Sequence, residues 1–156
     1  MISAAWSTVA PSADALGVTL DVDVGADLEC PMERARMERV FANLFENAIE
    51  AMRSGGSISI QAQVDGDNIM VRVEDTGPGI SASLQGRLFE PFVTAGKKNG
   101  LGLGLALSRQ TLLDHGGDIW ADSAAGRPNG GALFWLRLPK NHAAVAQEAT
   151  VLNGAG

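Results

Sequence analysis

Hydrophobic and polar residues alternate over residues 18–24. The hydrophobic residues on one side of this pattern are Val18, Leu20, Val22 and Val24. A period of two is typical of a half-buried β-strand, so we predict a strand here. Residues 1–15 are small and polar with one proline, and we interpret them as the end of a helix followed by a linker.

Residues 31–52 instead carry hydrophobic side chains at helical spacing. The stripe consists of Met37, Val40, Phe41, Leu44, Ala48 and Met52. This spacing predicts a long amphipathic helix, which a Gly-Gly pair at 55–56 ends. A second helix is predicted over residues 101–115, where another Gly-Gly pair follows the last hydrophobic turn.

Two predicted hairpins supply most of the sheet. In the first, alternating residues at 58–64 and 69–73 flank an Asp-Gly-Asp-Asn turn at 65–68. The second joins strands at 119–123 and 133–138. The order of elements predicts an α/β fold in which a mixed, largely antiparallel sheet is covered by helices on one face.

The stretches outside these elements have weaker patterns. Residues 76–100 are rich in loop-forming residues, and a short helix is predicted around residues 84–88. Residues 141–156 are rich in alanine and glycine without a clear period, which predicts a flexible tail.

The composition narrows the classes of function. The chain has 156 residues, a formal net charge of −6, one cysteine and two histidines. The acidic balance argues against a nucleic-acid or anionic-membrane surface. The single cysteine, Cys30, excludes an internal disulfide, and we interpret it as a packed small residue. The apolar runs are too short to span a bilayer and no signal peptide is recognisable, so a cytoplasmic location is expected.

Asp75 occupies an unusual place for a carboxylate, at the end of a strand pattern. The buried side of that pattern consists of Ile69, Val71 and Val73, and the parity continues to residue 75. A carboxylate on the apolar side is costly unless it finds hydrogen-bond donors. Gly77 and Gly79 follow, and glycines let a backbone turn sharply or approach a flat ligand. Two interpretations stay open on this feature: a capped turn or the floor of a pocket.

Asn43 and Asn47 lie four residues apart in the first long helix, so their side chains project from one side of it. Asparagine is a middling helix former that more often serves as a cap. Its amide oxygen is a neutral ligand that suits a Mg²⁺ ion already shared with phosphates. The alternative interpretation, two solvated or backbone-bonded amides, stays open on this feature alone.

Three alternating glycines, Gly100, Gly102 and Gly104, open the second long helix. A helix N-terminus presents free N–H groups and the positive end of the helix dipole, which favour a phosphate. A dinucleotide-binding fold requires a strand that leads directly into such glycines, and no alternating strand does so here. The Gly-Lys-Lys sequence at 96–98 lacks the Ser or Thr of a P-loop. The glycine motif alone is weak evidence.

Taken together, the motifs resemble the catalytic domain of sensor histidine kinases. In chain order they are Asn43-x-x-x-Asn47, Asp75-x-Gly77-x-Gly79, Phe89-Glu90-Pro91-Phe92, Gly100-x-Gly102-x-Gly104 and Gly130-Gly131-x-x-Phe134. They correspond to that family's asparagine box, first glycine box, phenylalanine box, second glycine box and final glycine-rich strand. The resemblance covers residues 18–139, and the phenylalanine box separates this family from the gyrase, Hsp90 and mismatch-repair ATPases.

The resemblance implies a two-layer α/β sandwich of the Bergerat type, with ATP held between helices and sheet. A lid at about residues 81–100 would carry Phe89 and Phe92 as hinged apolar anchors. Residues 1–15 would be the remnant of a linker from a missing dimerisation domain, and residues 16–140 would form the catalytic domain.

The resemblance also implies roles for single residues. Asp75 would accept a hydrogen bond from the adenine amino group and so disfavour guanine. Asn47 would bind Mg²⁺, with Asn43 alongside it as a catalytic residue. Glu46 is a catalytic candidate on its position alone, because it lies next to Asn47 and could polarise a nucleophile, although it is not at the position of the ATPase glutamate. The remaining implied nucleotide contacts are Gly77, Gly79, Ile80, Phe92, Lys97, Lys98, Gly100, Leu101, Gly102, Leu103, Gly104 and Leu105. Lysines on a loop, such as Lys97 and Lys98, are more often simply solvated.

The chain departs from the family pattern at three points. Glu50 stands where many members place a lysine near the terminal phosphate, and Ala132 stands where Ser or Thr is frequent. The cations that remain as candidates for the terminal phosphate are Arg53, Arg87, Lys97 and Lys98. No histidine precedes Asn43, so the phosphoacceptor histidine is expected on the dimerisation domain of a parent kinase. That parent kinase would transfer the phosphoryl group to a response regulator. The resemblance leaves open whether the parent is anchored in a membrane. His115 is interpreted as a helix-end residue.

Two other functions stay open. An ATPase of the gyrase or Hsp90 type would carry a glutamate base at the position of Asn43, and an amide cannot take a proton from water. A serine kinase of the anti-sigma type, or a nucleotide-gated interaction module, would usually lack the phenylalanine box.

Overall fold

A computed structural model describes residues 1–25, 28–93, 103–122 and 131–140. The helices are α1 (Ile2–Leu16), α2 (Arg34–Ala51), α3 (Ala82–Gln85) and α4 (Gly104–Asp114). The strands are β1 (Val18–Asp23), β2 (Gly56–Asp65), β3 (Asn68–Asp75), β4 (Asp118–Asp122) and β5 (Leu133–Pro139). The described strands form one sheet in the order β1-β2-β3-β5-β4.

The sheet is mixed, as the order of elements predicts. β1 and β2 are parallel, whereas β2–β3, β3–β5 and β4–β5 are antiparallel. In the central strand β3 the buried side chains lie at every second residue, on one face, and its apolar ones belong to the same core as those of the helices. The whole predicted stripe of α2 is buried in the same core. The predicted fold class is therefore confirmed.

The interpretation of residues 1–15 as a partial helix and a linker is wrong. They belong to α1, which continues to Leu16 and ends at Gly17 in the left-handed conformation. Its buried residues, Ala5, Val9 and Ala13, are spaced by four and pack with α2 in the common core. The stripe is hard to recognise in the sequence because two of its three residues are alanines, which contribute little to a hydrophobic pattern. The edge of the Trp6 ring meets Phe45, with ring centroids 5.4 Å apart.

The remaining predicted elements are present with shifted ends. The first long helix begins at Arg34 and not at residue 31, because Glu33 is its extended N-cap. The short helix spans residues 82–85, and the residues after it form turns, so its predicted position at 84–88 is too late. The predicted tail at 141–156 lies outside the described residues. Within the described part of the chain, no helix combines the length and apolar character needed to cross a membrane.

Candidate functional site

Asp75 is the last residue of β3 and keeps the inward parity of that strand, with 7% of its surface exposed. Its Oδ1 accepts hydrogen bonds from the backbone N–H groups of Gly77, at 2.9 Å, and Ala132, at 3.1 Å. The backbone N–H of Asp75 donates to the carbonyl of Ala132 at 3.0 Å. The buried carboxylate thus has main-chain donors, which offset the cost of taking a charge out of water.

Ala132 stands where the family pattern has Ser or Thr, and the resemblance implies that one hydrogen bond from a side-chain hydroxyl near Asp75 is missing here. The structure places the backbone N–H of Ala132 on that carboxylate instead. A main-chain donor of this kind does not depend on the side chain. The contact is not recognisable from the sequence because the two residues are 57 positions apart.

Glycine backbone crowds the Asp75 carboxylate. A Cβ atom on Gly131 would lie 1.7 Å from the Asp75 carbonyl oxygen and 2.9 Å from Oδ1. A Cβ atom on Gly77 would lie 3.1 Å from Oδ1 and 3.0 Å from Cγ of Met52. Gly79 has a φ angle of +81°, which L side chains rarely adopt. The two motif glycines after Asp75 therefore serve close approach and a turn.

Asn43 and Asn47 lie on one flank of α2, beside its buried stripe, and both are half-buried. The Nδ2 atom of Asn43 donates to the carbonyl of Gly104 and to Oγ of Ser108, each at 3.3 Å. Asn47 has no hydrogen-bond partner for its amide among the described residues. Glu46 is exposed and lies about 100° around the helix from Asn47. The helix thus brings Asn43 to the first turn of α4 and leaves the Asn47 amide available for a ligand.

The α4 helix begins at Gly104, with Leu103 as its N-cap, so the last glycine of the predicted motif is its first residue. Leu105 is partly buried against the core. The other residues predicted to contact the phosphates, Lys97, Lys98, Gly100, Leu101 and Gly102, lie outside the described residues. The structure therefore places the first residue of α4 next to Asn43, whose Nδ2 donates to the Gly104 carbonyl.

The phenylalanine motif is anchored at one end. The Phe89 ring meets the Phe134 ring of β5 edge-on, with centroids 6.4 Å apart. The Arg109 guanidinium of α4 lies 5.9 Å from the Phe89 centroid. Phe92, by contrast, is 74% exposed and has a φ angle of +67°. Of the two predicted anchors, only Phe89 packs against the core in this structure.

The far end of α4 is fixed to the start of α2. His115 caps α4: its Nδ1 lies 2.7 Å from the Thr111 carbonyl, and its Nε2 accepts from the Glu33 N–H at 3.2 Å. The guanidinium of Arg36 lies 2.7 Å from the Asp114 carboxylate. Hydrogen bonds from Arg36 and then Gln110 hold the pKa of Asp114 below its ordinary value. The interpretation of His115 as a helix-end residue is confirmed.

Comparison with known proteins identifies the family to which this domain belongs. Residues 32–142 match the family model described as histidine kinase-, DNA gyrase B-, and HSP90-like ATPase. The chain belongs to this ATPase family. It is 41% identical to the alginate biosynthesis sensor protein KinB of Pseudomonas aeruginosa over 89% of its own length and 23% of that protein. The chain thus spans less than a quarter of this relative.

Solved structures of the family give the same picture. The mycobacterial sensor histidine kinase MprB aligns with a TM-score of 0.78 and 25% identity, over 88% of this chain and 92% of that one. The catalytic domain of the histidine kinase ThkA aligns with a TM-score of 0.73 and 32% identity, over 89% and 91%. ThkA has also been solved with the response regulator TrrA, and that structure aligns at 0.73 and 30%, over 90% and 39%.

Membership of the family confirms the resemblance inferred from the motifs. The chain is an ATP-binding catalytic domain of the histidine kinase type. The residue roles implied by the motifs remain predictions. The sequence places Gly131 in the last motif but does not reveal that it lies against Asp75, and it does not single out Ser108, since the partners Asp75 and Asn43 are distant in the chain.

Proposed function

We propose that this domain binds ATP with Mg²⁺ and donates the γ-phosphoryl group to a histidine on a separate helical dimerisation domain. The observation that carries the proposal is the buried Asp75 carboxylate, which accepts hydrogen bonds from the backbone N–H groups of Gly77 and Ala132 and lies against the close backbone of Gly77 and Gly131. Such a pocket floor suits a flat base with an amino group at its edge.

Base selection follows from the hydrogen-bonding character of Asp75. An ionised carboxylate only accepts hydrogen bonds, so the amino group of adenine is a fitting partner. Guanine presents a carbonyl oxygen at that position, and two acceptors repel each other. The half-buried side chain of Ile80, in the loop that follows the strand end, would contact the base.

The phosphate end of the site lies at the start of α4. The free N–H groups and dipole of this helix N-terminus favour anionic oxygens, although the protein is acidic overall. The half-buried amide of Asn47 fits a hard cation, with Asn43 beside it. Magnesium, when bound, neutralises charge between the phosphates.

The acceptor histidine is supplied by another domain. Both ring nitrogens of His115 are already in contact with the main chain, Nδ1 with the Thr111 carbonyl of α4 and Nε2 with the Glu33 N–H at the start of α2. In the proposed transfer, an imidazole nitrogen of the incoming histidine attacks the γ-phosphorus as the bond to the β–γ bridging oxygen breaks, and ADP leaves. Glu46, exposed next to Asn47, is the candidate to take the imidazole proton.

The partners follow from the same proposal. The dimerisation domain of a parent kinase would present the histidine, and a response regulator would then receive the phosphoryl group. The ThkA complex with TrrA supports this assignment for a similar domain. We place the domain in the cytoplasm, where ATP is available, with the parent protein soluble or membrane-anchored.

Transfer of label from γ-labelled ATP tests the proposal. We expect no labelling of the chain alone and acid-labile labelling of the parent's helical hairpin when it is added. Asn47→Ala should abolish this labelling, because it removes the proposed metal ligand, and should do so more completely than substitution of His115 or His142. Asn68→Ala, at the β2–β3 turn, is the matched control and should label normally.

Two outcomes would contradict the proposal. Acid-stable labelling of the chain alone would indicate a serine kinase. Rapid phosphate release without any labelling would indicate an ATPase of the gyrase or Hsp90 type.

A further inference from the structure

A buried hydroxyl on α4 contacts Asn43, the first of the two asparagines on α2. Ser108 is 2% exposed. Its Oγ donates to the Gly104 carbonyl at 2.8 Å, one turn earlier in α4. The same Oγ lies 3.3 Å from Nδ2 of Asn43, which also lies 3.3 Å from that carbonyl. The three groups therefore form a closed triangle between α2 and α4.

The hydrogen-bond inventory of this triangle decides how the Asn43 amide is oriented. A serine hydroxyl has one proton, and here the Gly104 carbonyl receives it. Towards Asn43, both Oγ and the carbonyl are therefore acceptors. The amide must present its NH₂ group to them, since the flipped amide would place Oδ1 against two acceptor oxygens. Oδ1 is then left for the nucleotide side of the site.

We propose that Ser108 is a positioning residue that holds the Asn43 amide with Oδ1 available to the metal–phosphate group. This inference rests on the proposed function. Ser108 does not touch the nucleotide in this scheme and acts through Asn43. Its hydroxyl also links the start of α4 to the flank of α2 that carries Asn43.

The consequence is a dependence of nucleotide binding on Mg²⁺ that Ser108 controls. Ser108→Ala removes one of the two acceptors that fix the amide, and the amide then samples the flipped orientation. We expect the Mg²⁺ concentration needed for half-maximal ATP binding to rise about 5- to 10-fold, as for loss of one buried hydrogen bond. Metal-free ADP binding should be unchanged, because the base contacts are untouched.

A double-mutant cycle separates this role from a merely structural one. ATP binding to the full chain is titrated with Mg²⁺ for wild type, Ser108→Ala, Asn43→Ala and the double variant. Ser108→Ala should shift the Mg²⁺ dependence in the wild-type background and add nothing once Asn43 is alanine. Thr111→Val is the matched control: it removes another buried hydroxyl of α4 and should leave the Mg²⁺ dependence unchanged.

A second measurement keeps the test independent of the Asn43→Ala background. In an ¹⁵N spectrum, the side-chain NH₂ signal of Asn43 should shift in Ser108→Ala and not in Thr111→Val. The inference would be overturned if Ser108→Ala shifted the Mg²⁺ dependence of ATP binding equally with Asn43 and with alanine at that position, or did not shift it at all. It would also be overturned if the NH₂ signal of Asn43 did not move in Ser108→Ala. Failure of the proposed function would look different, because it would appear in wild type itself, either as an absence of Mg²⁺-dependent ATP binding or as acid-stable labelling or rapid phosphate release in the labelling assay.

Discussion

Replacing Asp75 by asparagine tests the base pocket most directly. The backbone N–H groups of Gly77 and Ala132 both donate to Oδ1, so this position must be an acceptor, which in an amide is the oxygen. The new amide is therefore held with its oxygen on Oδ1 and its NH₂ group in place of Oδ2. A donor then stands where the proposal needs an acceptor, and rotation of the amide cannot restore it.

The expected loss of ADP affinity follows from the number of hydrogen bonds that the variant loses. The variant loses one hydrogen bond to a charged acceptor, which is worth about 1.5–3 kcal/mol, or about 10- to 150-fold in Kd. ATP and ADP should weaken equally, since the change lies at the base and not at the phosphates. GDP should behave oppositely, because the new NH₂ group can donate to the guanine carbonyl oxygen. The ratio of ADP affinity to GDP affinity should therefore fall by a larger factor than the ADP affinity does.

Titration calorimetry with ADP, ATP and GDP measures these differences. Asp65→Asn removes the same charge at the opposite end of the β2–β3 hairpin, roughly 23 Å along the strand at 3.3 Å per residue, and should change none of the affinities. Equal ADP affinity in wild type and Asp75→Asn, or an unchanged ratio of ADP to GDP affinity, would refute the assignment of Asp75 to the base.

Three further outcomes follow from the structure. Gly131→Ala should destabilise the fold by at least about 2 kcal/mol in urea unfolding, because its Cβ would meet the Asp75 carbonyl, whereas Gly86→Ala, with open space around it, should be near neutral. A non-hydrolysable ATP analogue should slow hydrogen exchange over residues 81–93, and unchanged exchange at saturation would exclude a lid there. The pKa of Asp114 is lowered in the folded state, so its contribution to stability is present above the ordinary aspartate range near about 3.9 and is lost as pH falls through the lower folded value. Asp114→Asn should therefore reduce the loss of stability between pH 5 and pH 2, and an identical pH profile would contradict this.

The sequence is most informative where burial alternates cleanly. The alternation along β3 predicts that Asp75 lies on the core side, and the structure agrees. The asparagine pair is likewise predicted correctly on one flank of α2, because helical geometry fixes residues four apart. In both cases the information is local, and a few neighbouring residues carry it.

The features that the sequence does not reveal depend on small residues or on distant contacts. The full length of α1 escapes prediction because its buried stripe is mostly alanine, which packs closely but gives a weak hydrophobic signal. The contact of Gly131 with Asp75 and that of Ser108 with Asn43 join residues more than fifty positions apart. Such contacts depend on how the strands and helices pack together, and no periodicity of a single segment encodes that packing.

One helix connects the two ends of the proposed nucleotide site. At its C-terminal end, the Met52 side chain limits the space around Gly77, next to the Asp75 pocket. Nine residues earlier, Asn43 contacts the start of α4, and nine residues of helix span about 14 Å. The same helix buries its hydrophobic stripe in the core, so its position is set by packing and not by the ligand. The proposed base and phosphate contacts are therefore held at a spacing that packing of α2 sets, and a core substitution that tilts α2 should weaken both ends of the proposed site together.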